Sequence, residues 1–172
     1  MSDPLPNRLG ALALALTDAQ SQRAKDAAGL SVSGCAALMT LAQYPDESIS
    51  ALTQTLGLTH SVTVRLADDL VGRGLVQRGA GADKRQVTLR LTAKGRAMQR
   101  RVLEARSVVL SEALRGLEPE ARFTLERAVS AMLGTLTENR AQANRLCRLC
   151  DEAACGGDEC PVELQTLRLE RA

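Results

Sequence analysis

The stretch Leu58-Thr59-His60-Ser61-Val62-Thr63-Val64-Arg65-Leu66, running on to Leu70-Val71-Gly72-Arg73-Gly74-Leu75-Val76, decides how this chain folds. Thr59 is a natural helix cap. Val62, Leu66 and Leu70 recur every four residues, which predicts one stripe turned inward, and Gly72 and Gly74 close the helix. Just upstream, Ser48 caps a shorter helix carrying Ile49, Leu52 and Leu56, ended by Gly57. Downstream, Leu75-Val76-Gln77-Arg78 reads as a strand and Gly79-Ala80-Gly81-Ala82-Asp83 as a flexible turn. Val87, Leu89 and Leu91 then alternate with polar residues, as in a half-buried antiparallel strand.

A capped helix, a tight turn, a second capped helix and a basic-tipped hairpin form a winged helix-turn-helix. With Val62, Leu66 and Leu70 inward, the outward set is His60, Ser61, Val64, Arg65 and Asp68. Such a helix lays its N-terminal residues in the major groove. Arg65 can donate twice to guanine, Ser61 and His60 can reach base edges or phosphates, and Val64 can touch a thymine methyl. Ser48 and Thr59, at the two helix starts, join the contact set. Lys84 and Arg85 at the hairpin tip can reach phosphates or a minor groove. The charge agrees. From Thr59 to Arg101 there are ten basic residues against three acidic ones, an excess of seven, while the whole chain carries only +2. A basic middle between acidic flanks is the electrostatic footprint of a nucleic-acid partner.

Working outward, Leu5 to Ala28 reads as a long helix with Leu9, Leu12 and Leu16 on one stripe. Ser33 to Gln43 is a shorter one that buries Cys35, Leu38 and Leu41, broken by Tyr44-Pro45-Asp46. Thr92 caps a fifth helix with Met98, Val102, Ala105 and Val109 on one side, and a sixth starts at Pro119 with Leu125, Val129, Met132 and Leu136. The fold class is mainly α (α+β): a winged helix-turn-helix with long N- and C-terminal dimerisation helices. The expected division is an N-terminal dimerisation helix at 1–30, the DNA-binding unit at 31–91, C-terminal dimerisation helices at 92–146 and a cysteine-rich tail at 147–172. Helices with one apolar face need a surface to bury it against, and a second copy is the simplest one.

The quoted stretch, followed by Asp83-Lys84-Arg85 and by Leu89-Arg90-Leu91-Thr92-Ala93-Lys94-Gly95, resembles MarR-type transcriptional regulators. The resemblance runs in order over residues of about 5 to 145. It implies a homodimer on a pseudo-palindromic duplex, with Thr59 to Arg73 as recognition helix, Arg85 as wing arginine and Asp83 positioning the wing. It also implies a small-molecule effector as a partner class, for which Tyr44 is the candidate wall. The wing Gly79-Ala80-Gly81-Ala82 departs from the family in carrying less charge.

Composition limits the other classes. Aromatics are Tyr44 and Phe123 alone, which argues against base-stacking readers of single strands. His60 is the single histidine, and there is no nucleophile elbow, phosphate-cradling glycine loop or HExxH, so no enzyme is expected. A protein-interaction adaptor built on the helical dimer is the alternative function. Leu9 to Leu16 faintly resembles a signal-peptide core, but only Arg8 precedes it and its leucines fall at helical spacing. No apolar run approaches the roughly 18 residues of a membrane span, and the expected location is the cytoplasm.

Cysteine usage is the unusual feature. Cys35 sits on an apolar stripe and reads as a small buried hydrophobe. The other four, Cys147-x2-Cys150-x4-Cys155-x4-Cys160, fall within fourteen residues. In a reducing compartment such a set binds metal more readily than it forms disulfides. Four thiolates can close on zinc tetrahedrally, and the spacing equals that of zinc knuckles, with Cys155 where those have histidine. The knuckle glycines are not matched. An iron–sulfur cluster also takes four cysteines, and the closing Cys160-Pro161 resembles ferredoxins. A disulfide-forming thiol switch and four unmetallated thiols are the remaining options. A structural zinc is expected to staple Val162 to Leu169 onto the preceding dimer helix.

Overall fold

The computed structural model describes residues 3–81, 87–156 and 159–171. In chain order these form α1 (Leu5–Ala28), α2 (Val32–Gln43), β1 (Glu47–Ser48), α3 (Ile49–Leu56), α4 (His60–Gly72), β2 (Val76–Ala80), β3 (Val87–Leu91), α5 (Ala93–Leu114), α6 (Pro119–Thr135), α7 (Arg140–Cys147), α8 (Glu152–Cys155) and α9 (Pro161–Glu170). The fold is mainly helical around one three-stranded antiparallel sheet of order β1-β3-β2.

Local chemistry sets most of the boundaries. Gly29 and Gly57 end α1 and α3 in the left-handed region, at φ 62° and 65°. Ser48 Oγ accepts from the Ala51 N–H at 3.1 Å and Thr92 Oγ1 from the Gly95 N–H at 3.0 Å, so both helices start on capped amides. Pro119 opens α6, where its missing N–H is not needed. The second helix begins at Val32, not Ser33, because Ser31 Oγ caps it by accepting from the Gly34 N–H.

The core lies where α2, α3, α4 and the sheet meet α5. Leu38, Met39 and Leu41 of α2, Leu52 of α3, Leu70 of α4 and Val102 of α5 are all fully buried there, under Leu89 and Leu91 of β3. The long α1 lies along α5, burying Ala24.

Three sequence expectations change. The stripe Val62, Leu66, Leu70 is not the buried one: α4 buries Thr63, Ala67 and Leu70, leaves Leu66 half-buried and exposes Val62. Thr63 tolerates burial because its hydroxyl donates to the Thr59 carbonyl at 3.1 Å, and Ala67 is small enough to let the helix approach closely. Gly79 and Ala80, read as turn, extend β2 to pair with Thr88 and Val87. Val87 is exposed, not half-buried, since it lies at the outer end of β3. The sheet also gains β1, which pairs Glu47 with Leu89 and Ser48 with Thr88.

The outer helices carry their apolar residues outward. On α1, Leu5, Leu9, Leu12 and Leu14 are exposed, and α6 buries no residue, leaving Phe123, Val129, Met132 and Leu136 exposed. Among the described residues, no helix is long and apolar enough to cross a membrane.

Candidate nucleic-acid interface and the four-cysteine pocket

Gly57 and Leu58 join α3 to α4, and the N-terminal end of α4, Thr59 to Val62, is exposed. Thr59 stands at the N-cap, but its hydroxyl meets Ser61 Oγ at 3.3 Å instead of capping, so two hydroxyls face outward beside the first free amides. His60, Ser61 and Arg65 are exposed, and Val64 is half-buried. An arginine on such a helix can be consumed by its own acids, and here it is not. Asp69 takes Arg73 at 2.9 Å, and Asp68 takes Arg78 of β2. Among the described residues, Arg65 makes no ion pair. Exposed Val62 adds an apolar group to this end of the helix that the sequence reading had placed inside. Ser48 is half-buried and its hydroxyl serves the α3 cap. Lys84 and Arg85, called as wing contacts, lie outside the described residues, as does Asp83.

The helix is held rigidly to its surroundings. Arg73 also donates to the Gly29 carbonyl at 3.0 Å, tying the end of α4 to the end of α1. Lys94 of α5 donates to the Arg73 carbonyl at 2.8 Å. Arg90 of β3 donates to the Asp46 carboxylate, which holds that carboxyl below its usual range and fixes the turn before β1. Asp46 adopts φ 66°, a conformation that aspartate tolerates better than most residues.

The C-terminal segment is not a loose tail. Asn139 caps α7, which packs on α3, and α9 packs on α6 and α7 with Val162 and Thr166 buried. Arg140 staples the two, reaching Glu170 at 2.9 Å and Glu163 at 2.5 Å. The stapling expected of a metal at Val162 to Leu169 is therefore done in part by packing and by this arginine, and the first cysteine, Cys147, ends α7 instead of following the sixth helix directly. The Arg140 guanidinium holds the Glu170 carboxyl below the ordinary carboxylate range. A depressed carboxyl contributes stability above its unfolded pKa, and that contribution is lost as pH falls through the folded value. The protection of α9 amides, taken relative to intrinsic exchange at each pH, is expected to fall in acid, and Glu170→Gln to flatten that dependence.

Cys147, Cys150, Cys155 and Cys160 all line one cavity of about 340 Å³, together with Gln43, Tyr44 and Arg140. The four cysteines expected as one set therefore share one cavity lining. The neighbouring thiols Cys147 and Cys150 shift each other in opposite directions: Cys147 is raised by Cys150 and by burial, while Cys150 is lowered by Cys147 against the opposing effect of burial, with Arg106 and Arg148 nearby favouring its thiolate further. Cys155 is raised by burial and by its thiol neighbours Cys150 and Cys160. All four are free thiols, and among the described residues no three histidine, cysteine, aspartate or glutamate side chains stand close enough to hold a metal ion as they are. Two contacts were not legible beforehand: Gln43 Nε2 donates to the Cys150 carbonyl at 3.0 Å, and Tyr44 Oη to Glu152 Oε1 at 3.1 Å. Tyr44 is a wall of this cavity, with its phenol pushed up to about 12 by burial and Glu152. Cys35 is buried in the α1–α2 seam, its thiol pushed up to about 11 by burial, as a packing residue would be.

Comparison with known proteins places this geometry. The sequence matches the MarR family over residues 28–86. The HTH-type transcriptional regulator PetP of Rhodobacter capsulatus is 32% identical over 90 residues, covering 52% of this chain and 54% of PetP, so the match spans about half of that relative's length. The crystal structure of RV1404 from Mycobacterium tuberculosis superposes with a TM-score of 0.68 at 24% identity, covering 77% of this chain and 92% of that one. Apo MarR from E. coli does so with a TM-score of 0.61 at 21% identity, over 73% and 96%. The chain has the MarR-type winged-helix fold, and residues 28–86 are the part that matches the MarR family by sequence.

Proposed function

We propose that this chain is a MarR-family transcriptional regulator that binds double-stranded DNA as a homodimer. The observation that carries the reading is the N-terminal half of α4: Thr59, His60, Ser61 and Arg65 stand exposed on a rigid winged-helix scaffold, with Asp68 and Asp69 already paired to other arginines. Arg65 is thus left with a full charge and a bidentate fork to offer a guanine edge. The family match supports a regulator over an enzyme.

The dimer rests on the outer helices. An isolated copy would leave Leu9 and Leu12 of α1, Phe123 and Met132 of α6 and Leu136 just after it in water. Large apolar residues exposed along a helix in this number are the kind of surface that interfaces cover. A two-fold pair sets two α4 helices for successive major grooves about 34–36 Å apart. The four-cysteine segment belongs to the reading as this regulator's metal site.

Affinity for mixed-sequence duplex is the test against an adaptor. It is expected to fall steeply and linearly with log salt, because each neutralised phosphate releases counterions. A flat response is the adaptor's signature. On the preferred duplex, Arg65→Ala is expected to cost about 1–3 kcal/mol and to relax base choice at one position per half-site. A uniform loss across all sequences would instead make Arg65 a phosphate contact.

A further inference from the structure

We infer that Cys147, Cys150, Cys155 and Cys160 hold one zinc ion as a four-thiolate site, and that this ion locks the C-terminal loop onto the end of α2, so that zinc sets the pose of the DNA-binding unit. The second half rests on the DNA-binding reading; the first does not.

The four cysteines line a single cavity in two sequence pairs, Cys147 with Cys150 and Cys155 with Cys160. In the first, the Cys150 N–H closes on the Cys147 carbonyl at 2.8 Å. That brings residues three apart to one side, the arrangement in which two thiolates share an ion. In the second, Gly156 turns the chain at φ 75° between Cys155 and Cys160, and Cys160 directly precedes Pro161 at the start of α9. Two such pairs suit a tetrahedron, whose opposite edges they would supply. With Zn–S near 2.3 Å, those edges are about 3.8 Å long. An iron–sulfur cluster also takes four cysteines at short spacings, and it would show as iron with sulfide in the experiment below. The set is not closed as it stands, and binding draws the exposed Cys155 turn toward the Cys147–Cys150 turn. Four thiols and one Zn²⁺ give a four-thiolate centre of charge −2 and release four protons to solvent. Arg106 shares the groove on the other face of this loop with Cys150 and Cys155, where its cation offsets that charge.

The consequence follows from where the loop is anchored. Gln43 and Tyr44 are the last residue of α2 and its C-cap, and both bond to the segment 150–152. Two residues further on lies Asp46, whose bond to Arg90 fixes the turn into β1 and α3. A zinc-closed loop holds this corner by a four-thiolate centre, in addition to the packing of Leu149 on the core and the two side-chain hydrogen bonds that tie the metal-free loop.

The experiment uses the full chain, purified reduced and metal-free, titrated with zinc against a chromophoric chelator and with Co²⁺ for its visible spectrum. One zinc per chain and the bands of tetrahedral four-thiolate cobalt are expected. Cys147→Ser and Cys160→Ser should lose both, and Cys35→Ala should keep them. Failure to take up zinc, or iron with sulfide in anaerobically prepared protein, would overturn the zinc assignment. Zinc loading is expected to tighten duplex binding at least tenfold, and Gln43→Ala with Tyr44→Phe to keep the zinc but lose that gain. Equal duplex affinity with and without zinc, at full zinc occupancy, would overturn the lock and leave the site standing. No duplex binding by either form, with one zinc still bound, would overturn the regulator reading and leave the zinc site.

Discussion

Leu12→Glu combined with Met132→Glu is expected to leave the chain folded, monomeric and at least a hundredfold weaker on its preferred duplex. Both side chains are substantially exposed in the single chain, at 49% and 36%. Surface changes away from packed features alter stability by only about 0.5 kcal/mol, so the fold of one copy should survive. In a paired molecule the same positions are desolvated, and two carboxylates per copy cannot be buried there without partners. Losing the pair removes the second half-site contact, and linked binding of this kind is worth about 10²–10⁴ in affinity. Sedimentation and circular dichroism together separate the outcomes. A dimer that persists with native helix content would show that α1 and α6 are not the seam.

Gly95→Ala is the second large effect, and its sign is the informative part. In an exposed helix interior, alanine stabilises relative to glycine by about 1 kcal/mol. At Gly95 a Cβ would fall 1.9 Å from the Leu75 carbonyl oxygen and 3.3 Å from Leu91 Cδ2. The nearest obstacle is backbone, and it cannot step aside. The Leu75 carbonyl accepts from the Thr92 N–H at 3.0 Å, and the Thr92 hydroxyl bonds the Gly74 carbonyl at 2.7 Å. Relief would have to lift α5 off the start of β2 and uncover Leu91 and Val102. A loss of about 1–3 kcal/mol is expected by analogy with overpacked cores. Urea unfolding measures it, and a variant as stable as the parent would mean that this junction is looser than described.

These two positions also show what the sequence made visible. Gly95 lay in the Leu-Thr-x-x-Gly run that carried the family resemblance, and the helix ends at Gly29, Gly57 and Pro119 each follow from one residue with one conformational preference. Such local rules are readable without tertiary context. The face of α4 was not. Val62 and Thr63 are both β-branched, and only the Thr63–Thr59 hydrogen bond makes the polar one the better candidate for burial. Strand β1 was missed because two residues carry no alternation, and their partners on β3 lie some forty positions away. In the C-terminal segment the cysteine spacing pointed to one site, and the cavity brings the thiols together. Its anchoring at Gln43 and Tyr44 joins residues more than a hundred positions apart, and nothing in either stretch signals the other.

Selection of the full chain against a pool of randomised duplexes tests the regulator account most directly. It is expected to enrich an inverted repeat whose half-site centres lie about one helical turn apart, with Arg65→Ala losing the guanine preference within each half. Enrichment of no motif, or of a single unrepeated site bound by one copy, would contradict it.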